Sequence, residues 1–545
     1  MSPIVTKILE HRGIGAAELE DFLHPTLDKL SAPDELPGIV KAADIILDSI
    51  LYRRKIVVFG DYDCDGVCAT AIVSRTLRAL GGEVSEFIPD RLTEGYGMSE
   101  ASIARMLKGN PGVGLVITVD NGINSVAEVT NLKRKWSSVV VTDHHLPGDE
   151  LPDANAIVDP KLDAPPHLQN LCGAGVAFML ANRIVSEAKR RRMYKGPSIG
   201  GPLLVLAGLA TVTDIMPILG QNRILVSEAL KRFFTCAPMG LRELHSRAAR
   251  TGCNTLTTRD FGFMIGPRIN AAGRVVDYGA DQALELVVSE DQEIVRELAR
   301  IVDGYNVERK AIEQKMSDEA LAKVVPGAPA QVIDLPDGHP GVAGIVAARV
   351  MEKVGGRGPV CVYAGGHGSA RAPEGFNVRD AFVACDEVLE RYGGHAAAGG
   401  FGVKEGRIDD FRRMLCDYCE RIFSSNGSAP MEKNVNEPDL WVEPIDLTLE
   451  LAEELRELEP FGEGNREPIF GLKGVIFSDV KPLGMDGKHL SVALRGSGLR
   501  AVWWGHGDLV EKLRAESAAP HDITFALAVS DYGERHAELR LVSIA

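Results

Sequence analysis

Three short apolar runs in the first third of this chain each run into acid. KIVVFG (55–60) continues into DYDCDG, GLVITVD (114–120) into NG, and SVVVT (138–142) into DHH. The runs are rich in β-branched residues and read as strands. The first two are followed by stretches of helical periodicity, VCATAIVSRTLRALGG (67–82), with its Gly-Gly stop, and NGINSVAEVTNLKRK. Continuous apolar strands alternating with helices predict a parallel sheet covered on both faces. In such a sheet the carboxyl ends of the strands form one rim, and ligands bind in its crevice. The acids are therefore expected to meet.

Asp61, Asp63 and Asp65 are spaced two apart, and in an extended chain they project to one side. Asp120 ends the second strand, and His144 and His145 follow the third. Asp214, in ATVTDIMP (210–217), leaves a further apolar element and is read as a fourth strand end. One Asp at a strand end is ordinarily a turn residue or a helix N-cap; the coincidence of four carries the reading. Gathered like charges repel, so the cluster needs a compensating cation. Hard oxygen ligands with a few imidazoles suit Mn2+ or Mg2+ better than a soft metal. Five or six acids can hold two divalent cations about 3.5–4 Å apart, the arrangement used to hydrolyse phosphate esters.

At 545 residues the chain is long enough for three or four domains. Its 45% hydrophobic and 25% charged residues exclude a disordered chain or a fibre. A net charge of -16 argues against bulk coating of nucleic acid but leaves room for a local basic groove. MSPIVTKILEHRG has no long apolar run, so no signal peptide is expected. The most apolar stretch, 203–219, carries Asp214 and Pro217 and reads as a buried helix and loop, not a membrane span. Nine cysteines without an export signal point to a reducing cytoplasm.

The expected architecture is α/β. Residues 1–50 are a helical segment, 51–280 the parallel-sheet catalytic domain, and 281–328 a long connecting helix broken only by Gly304. Residues 329–423 form a smaller α/β domain, and 424–545 a linker (424–438) and a five-stranded barrel of the oligonucleotide-binding type. The five strands are expected within 475–484, 489–496, 499–505, 522–530 and 538–545, with a hairpin turn at Asp486-Gly487.

Phosphates that are not being cleaved need cations. GPRINAAGR (266–274) offers Arg268, Asn270 and Arg274; GSAR (368–371) offers Ser369 and Arg371; Arg91 stands in IPDRLTEGYG. Arginine forks match phosphate oxygens in pairs. In GGHA (393–396), Gly394 and His395 bring backbone N–H groups and an imidazole toward an anion. Lys189–Arg192 reads as a solvated helix face, the pair Cys416 and Cys419 as no zinc site, and Trp503-Trp504 as one core ring and one ring on the other side of a strand.

D-x-D-x-D-G, D-N-G, D-H-H and T-D, in this order, resemble the DHH phosphoesterase superfamily. EGYGMS (94–99), GAGVAF (173–178), TDIMPILGQNR (213–223), HPGVAGIVAARV (339–350), GGHAAAGG (393–400) and EPFGEGNREPIF (459–470) narrow the resemblance. With GPRINAAGR and GSAR they match its single-strand-specific 5′→3′ DNA exonucleases. The resemblance implies that Asp63, Asp65, Asp120, His144 and Asp214 are metal ligands, with Asp120 as the bridge. It places Asp61 beside the ions and His145 beside the reacting phosphate, both as catalytic residues. Residues 329–423 become the DHH-associated substrate domain, with Arg91, Ser369 and Arg371 as the pocket for a terminal 5′ phosphate. Phe59 stands where some members have His, which puts the affinity of one ion site in question. The implied activity is hydrolysis of single-stranded DNA to 5′ mononucleotides in recombination and repair. The implied protein is a monomer that works beside a helicase and a single-strand-binding protein, with no membrane partner. A phosphodiesterase for short oligonucleotides and a non-catalytic DNA scaffold are the alternatives. The long helix and barrel speak against the first, the intact acidic motifs against the second.

Overall fold

The computed structural model describes residues 1–545 except 96, 136, 249–255, 426–436, 485, 517, 531–534 and 545. The expected linker at 424–438 lies largely outside the described residues. By contact the chain forms two units: Leu30–Met216 with Glu228–Glu432, and Met1–Lys29 with Pro217–Ser227 and Lys433–Ala545. Residues 1–29 thus cluster with the C-terminal segment, and 30–50 with the α/β unit.

Two short helices, α1 (Pro3–His11) and α2 (Ala16–Leu23), precede α3 (Ile39–Leu51). Ile39, Ala42, Ala43, Ile46, Leu47 and Ile50 give α3 a buried stripe at helical spacing. Then come β1 (Lys55–Phe59), α4 (Cys64–Ala79), β2 (Val84–Phe87), α5 (Glu100–Gly109), β3 (Val113–Val119), α6 (Val126–Arg134), β4 (Ser138–Thr142) and β5 (Ala156–Val158). The strands form one parallel sheet in the order β2-β1-β3-β4-β5. β1, β3 and β4 are buried almost throughout because helices cover both faces. One core joins Val57, Phe59, Val116, Val139 and Val141 to Ile103 and Met106 of α5 and Val129 and Leu132 of α6. The predicted parallel sheet is borne out.

Helices follow: α7 (Gly173–Arg190), α8 (Gly200–Thr213), α9 (Gly220–Cys236) and α10 (Met239–Ala248). The short α11 (Thr258–Asp260) passes through one π turn, Phe261–Ile265, into α12 (Gly266–Val275). The connecting helix expected over 281–328 is two helices parted at 289–291, α13 (Gly279–Val288) and α14 (Gln292–Ala322); α14 has 31 residues, about 46 Å, and runs unbroken through Gly304. Asp291 caps it by accepting from the N–H groups of Glu293 and Ile294.

The second α/β part of this unit holds β6 (Gln331–Leu335), α15 (Ala343–Val354), β7 (Val360–Ala364), β8 (His367–Arg371), α16 (Val378–Ala384), β9 (Leu389–Gly394), β10 (Ala398–Val403) and α17 (Ile408–Ser425). Its sheet runs β6-β7-β8-β10-β9, parallel only between β6 and β7.

In the other unit lie β11 (Leu440–Trp441), α18 (Leu449–Arg456), β12 (Ile469–Leu483), β13 (His489–Leu494), β14 (Arg500–Trp503), β15 (Pro520–Ser530) and β16 (His536–Ile544). β12-β13-β14-β16-β15 closes on itself through β12–β15, the expected five-stranded barrel. β12 reaches both neighbours because it is 15 residues long and bulged. β11, two residues long, is an addition too short to read from periodicity. Trp503 packs against the core, and Trp504 is exposed edge-on to His489.

Arg223 is fully buried in this unit. It donates to the carbonyls of Phe22 (2.7 Å), Glu459 (2.8 Å), Leu458 (3.1 Å) and Pro460 (3.3 Å), and stacks 3.8 Å from the Phe22 ring centre. Burial, and then the charge of Arg12, pull its pKa down to about 10.

Candidate metal centre and substrate face

A parallel sheet in the order 2-1-3-4-5 reverses direction between its first and third strands, and the crevice there is the natural ligand site. Asp61 and Asp63 lie between β1 and α4, Asp65 is in the first turn of α4, and the residue after β3 is Asp120. The predicted rim is therefore occupied by the predicted acids.

The local conformations differ from the expectation in two places. Asp61, Asp63 and Asp65 are not on one side of an extended segment. Asp63 is the N-cap of α4, its Oδ1 accepting from the N–H groups of Asp65 (3.0 Å) and Gly66 (3.1 Å). Aspartate is favoured at an N-cap and in a first helical turn, so the same residues start the helix and line the site. Asp214 is not a strand end either; it is the C-cap of α8. An acid there opposes the helix dipole, so its placement also asks for a nearby cation.

Asp120 lies in the left-handed region, φ +61. Its Oδ1 is 3.1 Å from His144 Nε2, which also lies 3.6 Å from Asp65 Oδ2 and 3.7 Å from Asp214 Oδ2. Both Asp65 oxygens accept from the start of α7: Oδ2 from Gly173 N–H and Oδ1 from Ala174 N–H, each at 2.7 Å. Gly173 is required at that approach, because a Cβ there would lie 2.6–2.8 Å from atoms of the Asp120 side chain. Two ligand sets result, Asp65–His144–Asp214 and Asp120–His144–His145, the ligand atoms of each within 4.8 Å of one another.

The electrostatics show the strain of this gathering. Burial, then the charges of Asp65, Asp63, Asp61 and Asp214, push Asp120 well above the carboxylate range. Burial and then Asp65 and Asp63 push Asp214 up to about 9. Burial and Asp63 push Asp61 to about 7 and Asp65 to about 6. Burial, then the charge of His145, lower His144 to about 3, leaving a neutral imidazole suited to coordination. Asp120 Oδ1 is buried and accepts no hydrogen bond. An orphaned carboxylate oxygen among raised acids and a neutral imidazole fits a hard divalent cation.

Asp143, the acid of the DHH run itself, was given no role above. It is buried, and its Oδ1 accepts from the N–H groups of His144 (2.7 Å) and His145 (3.2 Å) and pairs with His145 Nδ1 (2.7 Å). Its Oδ2 accepts from Ile123 N–H at 2.9 Å. Burial works against this carboxylate, but the His145 hydrogen bond and charge hold its pKa below the usual value. In return, although burial lowers His145, Asp143 raises it to about 9. The signal for Asp143 stood inside the motif; that for Gly173 was the start of GAGVAF.

A pH dependence follows. Between about pH 6.5 and 9, Asp61, Asp214 and His145 all titrate at values above their unfolded ones. Such groups lend stability at low pH that is lost as pH rises through the folded pKa. His144, lowered to about 3, works the other way at the acid end of this window, where the unfolded imidazole still binds part of a proton, but it is one group against three. The metal-free protein is expected to melt lower at pH 8.5 than at pH 6.5. Saturating Mn2+ competes with the protons, so it should raise the melting temperature more at pH 8.5. Calorimetry showing an equal gain at both pH values would refute this.

The structure treats the proposed phosphate residues unequally. The Arg91 guanidinium lies 4.8 Å from the centre of the Tyr62 ring, and Asp61 feels its charge. Ser369 and Arg371 meet the first turn of α15 at Gly344, where a Cβ would lie 3.0 Å from Arg371 Nη2 and 3.5 Å from Ser369 Oγ. His395 is lowered first by burial and then by the charge of His145. Gly394 has φ +128 and serves the β9–β10 hairpin. Arg274 reaches the Gly341 carbonyl at 3.5 Å. Two residues turn elsewhere. Arg268 bonds Asp303 (2.7 Å) and the Met264 carbonyl (2.7 Å). Asn270 accepts from Cys64 N–H at 2.7 Å and so braces the acid loop. Their helix, α12, packs inward, which no spacing in the run revealed. Arg190 and Arg191 pair with Glu187, and Arg191 also with Asp44 and Asp48, in keeping with a solvated face. Cys416 Sγ donates to the Ala330 carbonyl at 3.7 Å, and Cys419 lies in the core.

Comparison with known proteins agrees with this geometry. Residues 55–204 match the DHH family N-terminal domain, 327–421 the DHHA1 domain and 438–542 the RecJ OB domain. The single-stranded-DNA-specific exonuclease RecJ of Bacillus subtilis is 34% identical over 94% of this chain, which spans 64% of that protein's length. The RecJ of Thermus thermophilus is 36% identical over 92% of this chain and 69% of its own length. The crystal structure of RecJ in complex with Mn2+ from Thermus thermophilus superposes with a TM-score of 0.84 at 32% identity, covering 100% of this chain and 76% of that one. An acid cluster at the switch point of a parallel sheet, three domains in matching order and this degree of identity lead to one assignment: the chain belongs to the RecJ family of DHH proteins.

Proposed function

We propose that this chain is a metal-dependent exonuclease that hydrolyses single-stranded DNA from its 5′ end to 5′ mononucleotides, in recombination and repair. The observation that carries the reading is the convergence of Asp65, Asp120 and Asp214 on His144, with a buried Asp120 oxygen left unbonded. Asp61, Asp63, Asp65, Asp120, His144 and Asp214 would hold two divalent cations, Mn2+ or Mg2+. When bound, such ions polarise a phosphoryl oxygen and make water a nucleophile near neutral pH.

The chain's own groups do the rest. α7 presents two N–H groups that fix the Asp65 carboxylate in one orientation. His145, kept protonated and oriented by Asp143, donates a hydrogen bond to the phosphate under attack. Ser369 and Arg371, at the positive end of α15, and Arg91 bind the terminal 5′ phosphate. That end of the strand then sits a fixed distance from the acid cluster, which makes release stepwise and directional. The reading includes a cytoplasmic monomer acting beside a helicase and a single-strand-binding protein. Among the described residues no helix is long and apolar enough to cross a membrane.

A timed digest of end-labelled single strands, with or without a 5′ phosphate and with or without Mn2+, tests it. Mononucleotides should appear from the 5′ end only with metal, and faster from phosphorylated ends. Arg371→Ala should lose most of that preference, about tenfold or more, since a charge-assisted fork is removed. Release from the 3′ end, or metal-independent release, would overturn the reading.

A further inference from the structure

Ile215 directly follows Asp214 and is anomalous in two respects. It occupies the left-handed region, φ +56, where a β-branched residue is a genuine outlier. Its side chain is also 71% exposed. It closes α8: Ile215 N–H donates to the Val212 carbonyl (3.3 Å) and Met216 N–H to the Thr211 carbonyl (3.1 Å). Glycine is the usual residue in that closure. Glycine here would relieve the backbone and remove exposed apolar surface. The packing of the fold makes little use of this side chain, which leaves it available to a ligand.

The neighbouring element repeats the pattern. The segment from α11 through the π turn into α12 crosses the end of α8 closely. A Cβ at Gly266 would lie 2.2 Å from Thr213 Cγ2, and one at Gly262 3.6 Å from Val212 Cγ1. Between those glycines the π turn carries Phe263, 74% exposed. Two large apolar residues thus stand uncovered on crossing elements: Ile215, directly after Asp214, and Phe263, on the π turn that packs against the last turn of α8. Asp214 itself belongs to the His144 cluster, 3.7 Å away.

We propose that Ile215 is a wedge that enters between the first two bases of the bound single strand, with Phe263 as the adjoining surface for a base. The proposal rests on the nuclease reading above, which brings a phosphate against the Asp214 cluster. A base is tethered to its own phosphate, so the bases flanking that phosphate fall on the side chains next to Asp214. Isoleucine and phenylalanine are residues used to part stacked bases, and aromatic rings carry bases without regard to sequence. Separating the terminal base from the next would free the nucleotide about to leave.

The test couples protein and substrate changes in the full chain. Binding of a 5′-phosphorylated oligothymidylate is measured by anisotropy in Ca2+, with the intact strand and with an abasic site at nucleotide one or two. For wild type, one of the two abasic strands should bind about tenfold more weakly. In Ile215→Gly that penalty should fall below about twofold. The same variant should melt about 2–4 °C higher, because the left-handed turn is relieved. Phe263→Ala, which leaves that turn unchanged, should also reduce the penalty. Equal penalties in wild type and both variants, no penalty in wild type, or a lower melting temperature for Ile215→Gly would each overturn the wedge. If wild type binds but hydrolyses nothing, the nuclease reading fails while the base coupling still reports on Ile215. If wild type is an active nuclease without coupling, only the wedge falls.

Discussion

Asp120→Asn is expected to remove at least about 10³-fold of the turnover on single-stranded DNA, roughly 4 kcal/mol of transition-state stabilisation. Asparagine nearly matches aspartate in size and tolerates the left-handed backbone at φ +61, so the fold should persist. What is lost is the negative oxygen that lies 3.1 Å from His144 and accepts no hydrogen bond. Without it the Asp120–His144–His145 set loses its one carboxylate, and titration calorimetry should show a large loss of Mn2+ affinity. Stability is expected to behave differently. Burial and four neighbouring acids hold Asp120 well above the carboxylate range in the metal-free protein, so removing its charge removes repulsion. The metal-free variant should melt no lower than wild type, and its advantage should grow as pH rises. A variant that keeps turnover within tenfold of wild type would remove Asp120 from the centre of the mechanism.

The second large effect is expected at a residue with no side chain. In Gly173→Ala the new methyl group would sit 2.6 Å from Asp120 Cβ, 2.7 Å from its Oδ1 and 2.8 Å from its Cγ. Neither side can yield freely. α7 is held against Asp65 by two 2.7 Å hydrogen bonds, and Asp120 is fixed between β3 and His144. Overpacking of this kind costs about 1–3 kcal/mol. A displacement of about 1 Å among reacting groups costs on the order of 10²-fold in rate. The variant should therefore lose turnover and melting temperature together, already without metal. That double loss separates it from Asp120→Asn, which should lose turnover alone near neutral pH. Normal melting and normal turnover in Gly173→Ala would mean that the start of α7 does not position the acids.

The centre was legible because of where parallel strands end. Three apolar runs with acids at their carboxyl ends leave few arrangements, and Asp120 and His144 appear where that logic puts them. Asp214 was legible as a partner, and its apolar stretch as a buried helix, but reading the same Asp as a strand end was not consistent with that, because α8 is GGPLLVLAGLATVT, apolar all round and without a period. The first acid run was misread in shape for a related reason. Residues two apart align in a strand, but Asp63 is also a helix cap, and the cap prevails once α4 packs. Arg268 and Asn270 show the third limit. Their chemistry suits phosphate, and in this structure they also have partners at Asp303 and Cys64 that no spacing in the run revealed.

The carbonyl cage around Arg223 bears on how this polypeptide acquires its shape. The groups it gathers come from residue 22 and from residues 458–460. Nearby, Arg12 donates to Asn465 Oδ1 (2.5 Å) and to the Arg466 carbonyl (2.6 Å), and Ser2 N–H donates to Glu454 (2.8 Å). Partners some 450 positions apart raise the contact order of the unit and slow its assembly. Ser2 and Arg12, at the two ends of α1, cannot make these bonds until the segment at 454–466, more than 400 residues later, has been synthesised.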